Sequence, residues 1–213
     1  MPLNDTLSPY GALKYEDGAA KADSIATLAA LKALAAVHPA HVHGNVVLCD
    51  ADGSEWVYHA TSALTGDDIL VVTPTNASGR WLRKVGTVDL KLPIGFATAD
   101  GATLLTMPTG ARMIVRRCYW EVTTAFTGGS SSAIGLAGPS PHNTAGDLLG
   151  GSGGDVEATL TAGVKLGTIG ADTAAGVLLK AADTVTFERI TDAFTAGAGY
   201  AHVVGDLVLN PGA

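Results

Sequence analysis

The chain has 213 residues, with 20 acidic against 13 basic side chains and a net charge of −7. Only 15% of its residues are charged, where soluble domains average about 25%. The acidic balance and the absence of any basic run exclude binding along a phosphate backbone, which needs successive cations. A spanning helix needs roughly 20 apolar residues, and the most apolar window, residues 25–37, is shorter and broken by Lys32.

A chain this long folds as one large domain or two small ones, burying roughly 70% of its unfolded surface. Residues 1–22 carry Pro2, Pro9, Gly11 and Gly18 with few core residues and no basic stretch before an apolar run. They read as an extended arm that takes its order from a neighbour, with no secretory signal. Next, Asp23 and Ser24 are candidate helix caps, and Ile25, Leu28, Leu31, Leu34 and Ala35 recur at helical spacing, which predicts a helix to about Val37. His38 precedes Pro39, so the chain must turn there. Residues 46–48 and 56–58 are strand-like and flank a turn containing Asp52-Gly53, which predicts a hairpin over 46–59. A polar turn at 65–68, a strand at 69–72, a loop at 74–79 and a strand at 80–82 complete a helix-plus-hairpin module over residues 23–86.

Beyond Arg83 the helical period disappears. Strands are expected near 88–92, 103–107, 111–126, 132–136, 157–161, 164–169, 177–180, 184–190 and 200–209. Their number and spacing predict an antiparallel β-sandwich or jelly roll over residues 87–213, so the fold class is mainly β with a small α+β module in front. In the longest strand, Met113 and Val115 share one phase with a slip at Arg116-Arg117 before Cys118, Trp120 and Val122, as a β-bulge would produce. In the last strand, Ala201, Val203, Gly205, Leu207 and Leu209 face one way while Tyr200, His202 and Asp206 face the other.

The first module resembles the small adaptor module of bacteriophage virion proteins such as tailspikes and head fibres. The residues that carry the likeness are Ala29-Ala30-Leu31-Lys32-Ala33-Leu34, Trp56-Val57-Tyr58, Thr65-Gly66-Asp67-Asp68, Val71-Val72-Thr73-Pro74 and Gly79-Arg80-Trp81. The segment His38-Pro39-Ala40-His41-Val42-His43 departs from that pattern. In tailspikes a similar module precedes a long glycan-cleaving β-helix, for which residues 87–213 are too few. The second domain is similar to small β-sandwich domains of phage structural proteins through residues 121–126, Ala133-Ile134-Gly135 and residues 182–187.

Candidate chemistry is sparse. Asp50-Ala51-Asp52-Gly53-Ser54 has the spacing that opens a calcium loop, but Thr61 stands where the closing glutamate belongs, which favours a plain hairpin turn. His38, His41 and His43 could gather around zinc, particularly across a three-fold axis, or form a solvated linker. Ser140, His142 and Asp147 share one loop whose prolines and glycine read as an exposed turn rather than a catalytic triad. Residues 149–155, Leu-Gly-Gly-Ser-Gly-Gly-Asp, lack the strand-then-helix context of a nucleotide loop and read as a flexible connection. Asp67 and Asp68 are adjacent on a turn and should point apart. Cys49 and Cys118 read as buried free thiols, in keeping with assembly in a reducing host cytoplasm.

These readings together imply a non-enzymatic structural part of a phage particle, a capsid decoration or head fibre, located on the virion. The expected partners are further copies of the chain, as a homotrimer, and a major capsid or other virion protein held through the arm and module. Nucleic acid, membrane, cofactor and metal are not expected. The alternative is a tail adaptor whose sandwich binds a host glycan through exposed aromatics such as Tyr119 or Tyr200.

Overall fold

A computed structural model of the chain describes residues 23–128, 132–144, 146–170, 173, 176–190 and 193–210. The expected arm, residues 1–22, lies outside them. The chain divides after Lys84 into two compact units, the second running from Val85 to Val208. The fold is mainly β, with one short α-helix among the described residues.

The first unit contains β1 (Asp23–Ile25), α1 (Leu28–Lys32), a 3-10 turn (Pro39–His41), β2 (Val46–Cys49), β3 (Ser54–His59), β4 (Val71–Val72) and β5 (Arg80–Arg83). They form a five-stranded sheet in the order β1-β2-β3-β5-β4, with β1 and β2 parallel. The hairpin forms as expected, with Val46 opposite Val57 and Cys49 opposite Ser54. Leu31, Val47, Trp56, Tyr58, Val72 and Trp81 make its core, with Ile25, Leu28 and Leu34 packed alongside.

The helix is much shorter than its apolar spacing predicts. Residues 23–25 join the sheet instead of capping, and Thr27 is the N-cap, its Oγ1 accepting from Ala30 N at 3.2 Å. At the other end, Thr75 N donates to the Lys32 carbonyl at 2.9 Å, and Asn76 Nδ2 donates to the carbonyls of Ala33 and Leu34 at 3.3 Å. A distant loop thus takes the carbonyls that a longer helix would have used, and Val37 is left exposed. The strand expected at 69–72 shrinks to its last two residues, because Asp67 Oδ1 accepts from the backbone amides of Ile69, Leu70 and Val71 at 2.8–3.0 Å.

The Gly-Arg-Trp motif has a physical explanation. Gly79 has φ +83°, and a Cβ there would stand 2.5 Å from the His59 carbonyl oxygen, so no other residue fits. Arg80 donates Nε–H to the Leu64 carbonyl at 2.6 Å and Nη1–H to the Gly79 carbonyl at 2.7 Å, fastening the loop before β5. Trp81 is fully buried.

The second unit contains β6 (Gly86–Gly95), β7 (Ala102–Thr106), β8 (Ala111–Thr127), β9 (Ala133–Ala137), β10 (Asp155–Val156), β11 (Gly163–Lys165), β12 (Val177–Leu179), β13 (Thr184–Ile190) and β14 (Ala196–Leu209). One sheet runs β10-β9-β13-β7 and the other β11-β8-β14-β6, with β12 also paired to β8. Two such sheets around Leu90, Leu92, Leu105, Met107, Met113, Trp120, Phe126 and Phe187, all fully buried, are consistent with a β-sandwich.

The phase of β8 changes at Arg116-Arg117, both exposed. Before them Met113 and Val115 point inward opposite β12; after them Cys118, Trp120 and Val122 do so opposite β11. The strand expected at 157–161 is replaced by the two-residue β10 and a 3-10 turn at Glu157–Thr159, and that expected at 164–169 ends at Lys165. The segment 149–155 is a packed crossing rather than a loose connection. Leu149 is fully buried and bridges Leu136 and Ile169, and a Cβ on Gly146 would lie 1.9 Å from the Gly151 carbonyl oxygen. The glycines let backbone approach backbone.

Candidate functional site

An array of interacting polar side chains lies on the outer face of the β8-β14-β6 sheet. Strand β6 alternates strictly, sending Val88, Leu90, Leu92 and Ile94 inward and Thr87, Asp89, Lys91 and Pro93 outward. Its register with β14 places His202 opposite Lys91 and Tyr200 opposite Pro93. Strand β8, on the other side of β14, contributes Arg117, Tyr119 and Glu121.

His202 is the hub. Although it sits on the outward face, it is only 7% exposed, because the Tyr119 ring lies flat on it with centroids 4.3 Å apart and planes within 12°. Its Nδ1 is 2.8 Å from Asp89 Oδ1 and its Nε2 is 3.0 Å from Glu121 Oε2. Carboxylates only accept, so making both contacts as hydrogen bonds requires both ring nitrogens to carry protons, which is the imidazolium form. Burial alone would lower the pKa of His202, but the bonds to Asp89 and Glu121 and their charges more than offset it, and the pKa is raised. Burial pushes the Asp89 carboxyl up, but hydrogen bonds from His202 and Tyr119 outweigh it and hold the group below its ordinary range. The hydrogen bond from Lys91, then that from His202, lowers Glu121.

The two tyrosines are tied into this array. Tyr119 donates its hydroxyl to Asp89 Oδ2 at 2.6 Å, and burial, then that carboxylate, pushes the phenol up to about 12. The Arg117 guanidinium sits over the Tyr119 ring at 5.2 Å, and Lys91 Nζ lies 4.1 Å from the Tyr200 ring centre while pairing with Glu121 at 2.7 Å. Alongside, Asp206 accepts from Thr87 and from Arg116 Nε, at 3.0 and 3.1 Å. Chemically this is a lattice of compensated charges. Both nitrogens of His202 and the hydroxyl of Tyr119 are committed to protein groups.

Tyr119 and Tyr200, expected from sequence as exposed aromatics, both lie on this face but are half-buried there, with His202 stacked on the Tyr119 ring and Lys91 against that of Tyr200. Sequence reading missed Asp89, Lys91, Glu121 and the role of His202. The outward alternation of β6 was a visible signal, but only the register across three strands shows that these residues meet.

The other candidates form no shared site, although the His38 and His41 rings meet edge-on with centroids 6.4 Å apart. In the Asp50–Ser54 turn, Asp52 Oδ1 accepts from Ser54 N at 3.0 Å and Ser54 Oγ at 2.6 Å, and Asp50 accepts from Ser24 Oγ at 2.5 Å, so these carboxylates hold the hairpin together. His38 accepts the Ala40 amide on Nδ1, while His41 packs against Tyr58 and Trp81 at centroid distances of 4.9 and 5.6 Å. His43 turns away to meet His59. Asp147 spends its carboxylate on the Thr144 amide at 2.7 Å, and His142 shapes the same loop through its backbone, donating to Pro139 O and accepting from Gly138 N. Asp67 is consumed by backbone amides, whereas Asp68 pairs with Lys32 at 2.5 Å. Cys49 and Cys118 are buried and unbridged, and burial pushes the Cys118 thiol up to about 12. Among the described residues no group of three or more His, Cys, Asp or Glu side chains is arranged to hold a metal ion. No helix among them is long and apolar enough to cross a membrane.

No protein-family model, curated protein or solved structure matches this chain.

Proposed function

We propose that the chain is a non-enzymatic structural component of a bacteriophage particle, attached through its first unit and displaying its second as a decoration or short fibre. The observation that carries the reading is the first unit itself. The ordered motifs that resemble the virion adaptor module occupy one compact fold, in which Trp56, Tyr58, Val72 and Trp81 form the core and Gly79 and Arg80 lock the last loop. The compensated charge lattice of the second unit supports a rigid displayed surface. The weakly charged composition favours further contacts between copies, for which a homotrimer is the expected assembly.

The test is attachment. A reporter fused to residues 1–84 should enter particles, and a chain lacking residues 1–84 should not. Equal incorporation of the truncated chain would contradict the proposal.

A further inference from the structure

His43 and His59 lie far apart in sequence and were not paired by any motif. The backbone brings them together. Gly44, with φ +85°, donates its amide to the Tyr58 carbonyl at 2.8 Å, and Tyr58 donates back to the Asn45 carbonyl at 3.0 Å, which extends the hairpin ladder past the end of β2. Tyr58 points into the core, so the alternation of β3 sends its neighbour His59 to the outer face, where His43 stands beside it. Their ring centroids are 4.9 Å apart, with the planes at 81°.

Three observations suggest a use for this pair. First, no hydrogen bond or ion pair to another described residue engages either ring, in contrast to His202 and His38. Second, His43 is exposed and His59 half-buried, so an ion can reach them from solvent. Third, two imidazoles on one metal, at metal–nitrogen distances of ~2.0 Å and a near-tetrahedral angle, hold their ring centres about 5 Å apart.

We infer that His43 and His59 form a two-histidine site for a divalent transition-metal ion of the zinc, nickel or copper class. Imidazole suits these ions, whereas calcium and magnesium take oxygen donors. The pair supplies two ligands, and the remaining positions stay open to water or to a donor from another molecule.

The test titrates the full chain with zinc chloride, and separately with nickel chloride, at pH 7.5 and pH 5.5. One ion should bind per chain, and the affinity should fall at least about tenfold at the lower pH, where imidazoles protonate. His43→Gln and His59→Gln should each lower the affinity by about tenfold or more while leaving metal-free thermal unfolding unchanged. Substoichiometric nickel should broaden the ring resonances of His43 and His59 before those of His38, His41, His142 and His202, a readout that needs no variant. Absence of saturable binding, loss in only one variant, or earlier broadening of any other histidine would overturn the assignment.

Discussion

Each unit buries a tryptophan whose indole N–H ends on a chain of polar groups, and the two solve that problem at different ranges. In the first unit Trp56 Nε1 donates to Ser54 Oγ at 2.7 Å, which donates to Asp52 Oδ1, so the whole tie lies within one hairpin turn. In the second unit Trp120 Nε1 donates to Asp155 Oδ2 at 2.7 Å, and Asp155 Oδ1 accepts the Thr168 amide at 2.8 Å. That tie crosses from β8 to the glycine-rich crossing and on to the segment after β11. A local tie steadies a turn that would form anyway, whereas a long-range tie fixes where three separate segments meet.

The largest effect should come from removing the long-range anchor. Trp120→Ala should cost about 3–5 kcal/mol through lost burial and the cavity left behind, read by chemical or thermal unfolding. The comparison sharpens at the polar partners. Asp155→Ala leaves both a buried indole N–H and a backbone amide without their acceptor and should cost about 2–3 kcal/mol, whereas Ser54→Ala leaves only the Trp56 indole N–H without its acceptor and should cost about 1 kcal/mol. Equal losses from the two substitutions would erase the distinction between the ties.

The range of each tie also explains what was legible in the sequence. Asp52-Gly53 announced its hairpin, and the inward phase of Met113, Val115, Cys118 and Trp120 was readable from alternation, including the slip at Arg116-Arg117. Helix α1 is shorter than its apolar spacing predicts because the carbonyls of residues 32–34 are claimed by Thr75 and Asn76, some forty positions away. Residues 149–155 pack where their composition predicts a loose connection, because glycines look the same in sequence whether they flex or let backbones approach. The outer-face lattice was half legible. Tyr119 and Tyr200 stood out as aromatics, but Asp89, Lys91, Glu121 and His202 become a site only through strand register.

A smaller effect is expected from pH. The raised pKa of His202 means that its contribution to stability is fully present below its unfolded value near 6.5 and is lost as pH rises through the folded value. Asp89 and Glu121 have lowered values, so their contributions hold above pH about 4 and are lost as pH falls through the folded values. Unfolding followed from pH 5 to 9 should therefore show a loss on the alkaline side, and His202→Gln should flatten it. An unchanged slope in that variant would show that the lattice does not carry the charge assigned to His202. The smallest effect belongs to the loop that resembles a triad only on paper: His142→Ala should shift stability by less than about 0.5 kcal/mol and leave attachment unchanged. If the parent chain hydrolysed any of a panel of glycans and esters and His142→Ala abolished that turnover, the structural reading of the loop would fail.

The most direct measurement of the proposed function is imaging of intact phage particles that carry the full-length chain, with the chain located and its copies counted. The account predicts density for the second unit projecting from the particle surface, joined through the first, in tens to hundreds of copies on the head. A few copies at the tail tip would favour the glycan-binding alternative, and absence of the chain from purified particles would contradict the proposal outright.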